Sequence, residues 1–400
     1  VIGLVVYPIL TRMYAPEDFG LLNLFLSIGN VLVVLAVLDY YYAIVLPKEE
    51  KDAVALTQTS FFCLLLTVGI VLLSVAFAKP ISILFKMPDL TEYYWMMPIY
   101  VLVMGAWNIL NYWYIRHKEY GCISRYQVSQ SVLSAGGKLG FGALGLLHGG
   151  MIFSMVIAPL IALLLSLFSN MRKTLVPLCN VSKNTMWQQG KQYRNFPLFV
   201  LPRSFINVLA TQLPVLLLTP FFGAKYVGLL SMAVLLAYTP IGTISRAIYQ
   251  VLYQHTTEYV HQSLPIKSMF RRFIGYTSVV IIPIFGILYF VLPNLTAWLL
   301  GEEWRVVGEY IRWMLPWLYV SLLTGSTCYL SDVFMQQKKG LLFEILLAVC
   351  RVSGLCIGIA AKDFTTAIAA YSISTAIAVL AQLVWLATLV RKYDRDITAV

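Results

Sequence analysis

Charge is scarce in this chain. Only 12% of its 400 residues are Asp, Glu, Lys or Arg, and just 18 of those are acidic. Soluble domains carry about a quarter charged residues, so a freely soluble globular fold is excluded. Histidine is scarcer still: His117, His148, His255 and His261 are scattered with no ligand spacing. The six cysteines (Cys63, Cys122, Cys179, Cys328, Cys350, Cys356) show neither paired nor metal-like spacing. That excludes a disulfide framework or zinc site and leaves them as small apolar residues in helices. Short alternating apolar–polar segments are missing, and with them the signature of a transmembrane β-barrel. No cleavable signal peptide is expected, nor any polar domain long enough to fold alone.

What the chain has instead is hydrocarbon. Sixty per cent of its residues are hydrophobic, and the mean hydropathy is +0.78. Apolar windows recur at 21–46, 53–78, 93–115, 126–147, 149–169, 196–219, 226–251, 273–300, 313–331, 340–361 and 364–390. In lipid such a window has to be a helix, which satisfies its own backbone hydrogen bonds. Residues 1–11 form a further apolar stub, too short for a span of about 20 residues. Because the chain begins at Val1 rather than Met, the stub reads as the end of a clipped first span. The expected fold class is therefore all-α and integral to the membrane, with about twelve transmembrane helices.

Charge in the connections orients these spans. Counting the stub as the first, connections after even-numbered spans hold 18 Lys and Arg, including Lys48, Arg116, Arg172, Lys183, Lys267, Lys338 and Arg391. The odd connections hold seven: Arg12, Lys79, Lys86, Lys225, Arg305, Arg312 and Lys362. The positive-inside rule places the even connections and both termini in the cytoplasm. A net charge of +11 suggests nucleic acid in a soluble protein. Here the basic residues encode topology, and no nucleic-acid partner is expected.

The two halves repeat each other. YAPEDFGLL (Tyr14 to Leu22) has its counterpart in FGAKYVGLL (Phe222 to Leu230), and WMMP (Trp95 to Pro98) in WMLP (Trp313 to Pro316). The matches occur in order at similar offsets, which points to duplication. Six spans per half is an even number, so both halves share one orientation. Parallel repeats of this kind occur in transporters whose site lies between the halves. The expected organisation is a six-helix lobe over 1–170, a cytoplasmic linker over 171–195, and a second six-helix lobe over 196–400, around a central cavity.

Six ionisable residues fall inside the expected spans: Asp39, Lys138, Arg203, Arg246, Glu344 and Arg351. Each costs roughly 2.5–3.5 kcal/mol or more at mid-bilayer, so none should face lipid. They continue polar stripes at helical spacing: Lys138 with Gln127, Ser131 and Ser134; Arg203 with Asn207 and Thr211; Arg246 with Thr239 and Thr243. Glu344 and Arg351 stand seven apart, two turns along one face; Glu344 is the candidate to hold Arg351 in the empty state, although about 10 Å is long for a direct bond. The bland reading is interhelical packing, with Ser, Thr and Asn as glue. Asp39 and Arg246 also lie near cytoplasmic ends, where side chains snorkel to water. Lys138, Arg203 and Arg351 lie deeper, and are expected to line the cavity together with Arg246, Glu344, Asn207 and Asp39. Excess positive charge there suits an anion, and phosphate matches Arg geometry best.

At TRMYAPEDFG (Thr11 to Gly20) and DYYYAIVLPKEEKDA (Asp39 to Ala53) the chain resembles polysaccharide flippases of the Wzx type. These belong to the multidrug/oligosaccharidyl-lipid/polysaccharide (MOP) exporter superfamily. The resemblance implies two six-helix lobes and alternating-access movement of an undecaprenyl-pyrophosphate-linked oligosaccharide from the cytoplasmic to the periplasmic leaflet of the bacterial inner membrane. It implies no cofactor, a coupling ion as proposed for the family, and as partners the lipid-linked oligosaccharide, membrane lipids and other polysaccharide-assembly proteins. It carries over no invariant cavity residues. A multidrug antiporter of the same superfamily is the nearest alternative, but such cavities need acidic residues to trap cations, and this membrane interior is four basic to two acidic. A membrane-embedded polymerase or ligase needs a large periplasmic loop for its chemistry, and the odd loops are short. The expectation is a transporter and not an enzyme.

Overall fold

The computed structural model describes residues 2–169 and 183–398. All regular structure among them is helical. Twelve helices are long: α1 (Ile2–Met13), α2 (Pro16–Ala36), α3 (Glu50–Ser74), α4 (Met97–Arg116), α5 (Tyr120–Ala143), α6 (Leu147–Ser169), α7 (Leu201–Phe222), α8 (Ala224–His261), α9 (Lys267–Leu300), α10 (Arg305–Thr327), α11 (Gln337–Ala361) and α12 (Phe364–Thr398). Every expected span has its helix, with α1 as the stub. Most of the expected linker, including Arg172, Lys173 and Cys179, lies outside the described residues. A short helix over Lys183–Gln192 and a π-helical turn over Phe196–Val200 represent the rest.

Several helix ends differ from the apolar windows, each for a local reason. α2 stops at Ala36, ten residues before its window closes. Leu38 and Asp39 take left-handed backbone angles (φ +48° and +55°), which a right-handed helix does not contain. The chain then continues as a 3-10 helix over Tyr40–Val45. α8, α9 and α12 reach 38, 34 and 35 residues. They outrun their windows because polar helix formers such as Gln254, Glu258 and Lys392 extend the helix past its apolar part.

Large apolar side chains point outward. Leu65, Leu66, Ile70 and Leu73 on α3 are exposed, as are Val279, Val280, Ile287 and Phe290 on α9. Soluble proteins rarely expose contiguous apolar patches beyond a few hundred Å². Eight helical stretches among the described residues are long and apolar enough to cross a membrane. α4 and α10 are shielded by neighbours along most of their length, so they tolerate Trp and Tyr. This is a multi-pass membrane protein whose outer surface is solvated by lipid.

The chain forms two compact units, Val1–Gly228 and Leu229–Val400. In the first, α5 packs along α6, α3 along α4, and α7 along α2. The Ser27 hydroxyl on α2 donates to Oε1 of Gln212 on α7 at 2.8 Å. That link and the packing along α2 place α7 with the first unit. In the second, α11 packs along α12, and α10 lies against both α9 and α12.

Candidate functional site

In the second unit the α8 stripe opens onto a cavity of about 610 Å³. Thr239, Thr243 and Arg246 line it at offsets of four and three, as one face of a helix requires. Ser321 of α10 and Tyr249 complete a wall of hydroxyl groups. Arg246 is exposed within this frame, and no carboxylate shares the lining. Ser245 ties the two helices together beneath it, with its Oγ 3.3 Å from that of Ser326. The Tyr238 ring, also in the lining, stacks on Trp317 at 5.6 Å and 12°. Trp317 in turn meets Tyr371 edge-on at 5.7 Å.

Arg351 lies on α11, which packs along the helix that carries Tyr371. Its Nε is buried with no hydrogen-bond partner. The expected hold of Glu344 on Arg351 is corrected by the structure. No ion pair joins them among the described residues, and Glu344 is exposed. Two helical turns separate the pair by about 10 Å, beyond the reach of a direct bond.

The first unit holds the other candidates at separate places. Lys138 is nine-tenths buried and lines a cavity of about 280 Å³ between α1 and α5. Gln130, Ser131 and Ser134 supply its polar wall, Val6 and Leu10 its apolar one. The Lys138 ammonium lies 5.9 Å from the centre of the Tyr7 ring. That cation–π contact is the charge compensation the structure shows for it, since no carboxylate lines this cavity either. The Tyr14 hydroxyl fixes the helix there by donating to the Lys138 carbonyl at 2.7 Å. Arg203 and Asn207 are both exposed on one face of α7, four apart as expected, and neither lines the Lys138 cavity.

Asp39 departs furthest from expectation. It does not snorkel to water, having no accessible surface. The turn that ends α2 folds it inward, where neither carboxylate oxygen has a hydrogen-bond partner. The aromatic row of Tyr238, Trp317 and Tyr371 was not anticipated from the sequence. Its one signal is that Tyr238 adjoins the polar stripe on α8.

A family described as polysaccharide biosynthesis protein matches residues 9–309, from α1 into α10 and across both units. The chain belongs to this family. Among solved structures, it is similar to a multidrug resistance MATE family transporter of the MOP superfamily in an inward-facing conformation. The TM-score is 0.74 at 13% identity, covering 98% of this chain and 95% of that one. It is also similar to the lipid II flippase MurJ in an inward closed conformation, with a TM-score of 0.69 at 13% identity over 99% and 88% of the two chains. At such identities the likeness is one of fold, so this member of a polysaccharide biosynthesis family has the fold seen in those transporters. No curated protein matches the chain.

Proposed function

We propose that this protein moves an undecaprenyl-pyrophosphate-linked oligosaccharide from the cytoplasmic to the periplasmic leaflet of the bacterial inner membrane. It acts as a transporter in surface polysaccharide assembly and makes or breaks no bond. The observation that carries this reading is the Arg246 cavity, a cation among hydroxyls and a tyrosine face with no acid in its lining. Hydroxyl groups and aromatic faces suit sugars, and an uncompensated guanidinium suits phosphate. Lys138 repeats the logic in the first unit.

Phosphates are very costly to move through hydrocarbon unless the protein supplies their counter-charges. Arg246 does so from a helix that satisfies its own backbone, while the lipid tail stays in the bilayer. Substrate enters from the cytoplasm and leaves after the protein opens outward, and the basic even-numbered connections hold both termini in the cytoplasm.

Complementation of a flippase-null strain tests this, with each variant normalised to its membrane abundance. Arg246→Ala should remove most surface polysaccharide, and Arg246→Lys should retain part of it, because charge matters more than fork geometry for a mobile ligand. Normal polysaccharide from an Arg246→Ala, Lys138→Ala double variant would overturn the proposal.

A further inference from the structure

Basic side chains at the helix ends of the first unit are engaged by the protein itself. The Arg116 guanidinium donates to the Ile44 and Pro47 carbonyls at 3.1 and 2.8 Å and pairs with Glu50. Lys51 pairs with Glu49. The start of α9, in the second unit, is different. Lys267, Ser268, Arg271 and Arg272 line an open cavity of about 450 Å³ with no carboxylate in its wall. All four are exposed, and none of the three basic side chains has an ion-pair partner among the described residues.

Asp394, near the end of α12, is committed to the backbone here. Its carboxylate accepts the Ile266 and Lys267 N–H groups, both at 2.9 Å, and so satisfies the start of α9. The charge offered by the cavity therefore comes from side chains and not from the helix terminus. The same two bonds tie the ends of α9 and α12 together. They bring Arg391, exposed and three residues before Asp394, to this end of the unit.

From the cavity α9 runs on into lipid. Ser268, Arg272, Tyr276, Val279, Ile287 and Phe290 recur at spacings that keep them on one helical face. The last four are exposed. Down that face the surface passes from cation to aromatic ring to hydrocarbon. A phospholipid standing in a leaflet passes in the same order, from phosphate through glycerol ester to acyl chain. Guanidinium forks match pairs of phosphate oxygens, and tyrosine suits the boundary between headgroup and hydrocarbon. Clustered Lys and Arg beside a span attract anionic lipids, whereas a zwitterionic lipid brings its own cation and cancels that attraction.

We propose that the Lys267, Arg271 and Arg272 cluster binds the phosphate headgroup of an anionic phospholipid, whose acyl chains lie along the Tyr276 face of α9. The lipid comes from the leaflet in which α9 begins. Its site shares no residue with the Arg246 cavity, and the inference does not depend on which substrate the protein carries.

The test uses the full chain purified in detergent and stripped of bound lipid, with the thermal unfolding midpoint as readout. Phosphatidylglycerol should raise the midpoint saturably, and phosphatidylcholine at equal mole fraction should not. In a Lys267→Gln, Arg271→Gln, Arg272→Gln variant the half-saturating mole fraction of phosphatidylglycerol should rise several-fold. The charge-matched control is Lys48→Gln, Lys51→Gln, Lys191→Gln, which alters three exposed lysines of the first unit and should keep the wild-type response. Should the first triple variant fail to fold, Arg272→Gln alone removes one exposed charge and should still weaken the response measurably. Inorganic phosphate forms a third arm, and a rise as large as the lipid's would show a free-anion site and overturn the assignment. Equal gains from the two lipids, an unchanged response in the cluster variants, or an equal loss in the control would overturn it as well.

Discussion

Gly20 and Gly228 hold the starts of α2 and α8 in backbone contact. A Cβ on Gly20 would collide with the carbonyl oxygen of Ala224, and one on Gly228 with that of Pro16. Both glycines are seventh in their copies of the nine-residue repeat, and Pro16 and Ala224 are both third. Each glycine thus meets the third position of the other copy. Close approach through small residues is how helices associate in lipid, where apolar surface gives no net drive.

Larger side chains at this crossing have nowhere to go. Gly20→Leu and Gly228→Leu should each abolish complementation and lower the unfolding midpoint, since overpacking typically costs about 1–3 kcal/mol and here the obstacle is backbone. Gly69→Leu is the control, because open space surrounds that position on α3. Equal losses from all three variants would show that the crossing is not special.

Arg312 repairs a break in α9. Pro293 has no N–H, so the carbonyl of Tyr289, four residues earlier, loses its helical donor. The Arg312 guanidinium donates to that carbonyl through Nε and to the Phe290 carbonyl through its terminal nitrogen at 3.3 Å. It also lies 5.2 Å from the centre of the Tyr289 ring. Arg312→Ala should destabilise the protein by about 1–3 kcal/mol, the usual penalty for an acceptor left without its donor. Arg312→Lys should recover only part of this, since an ammonium lacks the planar fork. Thermal unfolding in detergent or nanodiscs reads the difference, and a neutral Arg312→Ala would refute the repair.

The proposed orientation has a direct readout. Lys86 and Lys191 are both exposed on the surface, on connections assigned to opposite sides of the membrane. In intact cells a membrane-impermeant thiol reagent should label Lys86→Cys, while Lys191→Cys should react only after permeabilisation. Labelling of Lys191→Cys from outside would reverse the topology.

Much of the architecture was legible in the sequence, because a bilayer permits little else. Apolar windows of span length located the helices, the basic connections implied an orientation, and the paired YAPEDFGLL and FGAKYVGLL segments announced the repeat that meets at Gly20 and Gly228. The stripes on α5, α7 and α8 were also visible, since a period of 3.6 residues decides which side chains share a face. Periodicity does not say what that face meets. Only tertiary packing placed Arg246 in a hydroxyl-lined cavity, left Arg351 without an ion pair to Glu344, and seated Lys138 over Tyr7. The end of α2 was hidden for a related reason. The apolar window runs on to residue 46 with Asp39 inside it, but two left-handed residues at Leu38 and Asp39 turn the chain there and bury the carboxylate. Hydropathy reports the cost of leaving water, which each residue carries by itself. Which partners meet a buried charge depends on segments far apart in the chain, as where Tyr14 bonds the Lys138 carbonyl 124 residues away, and that only the folded chain decides.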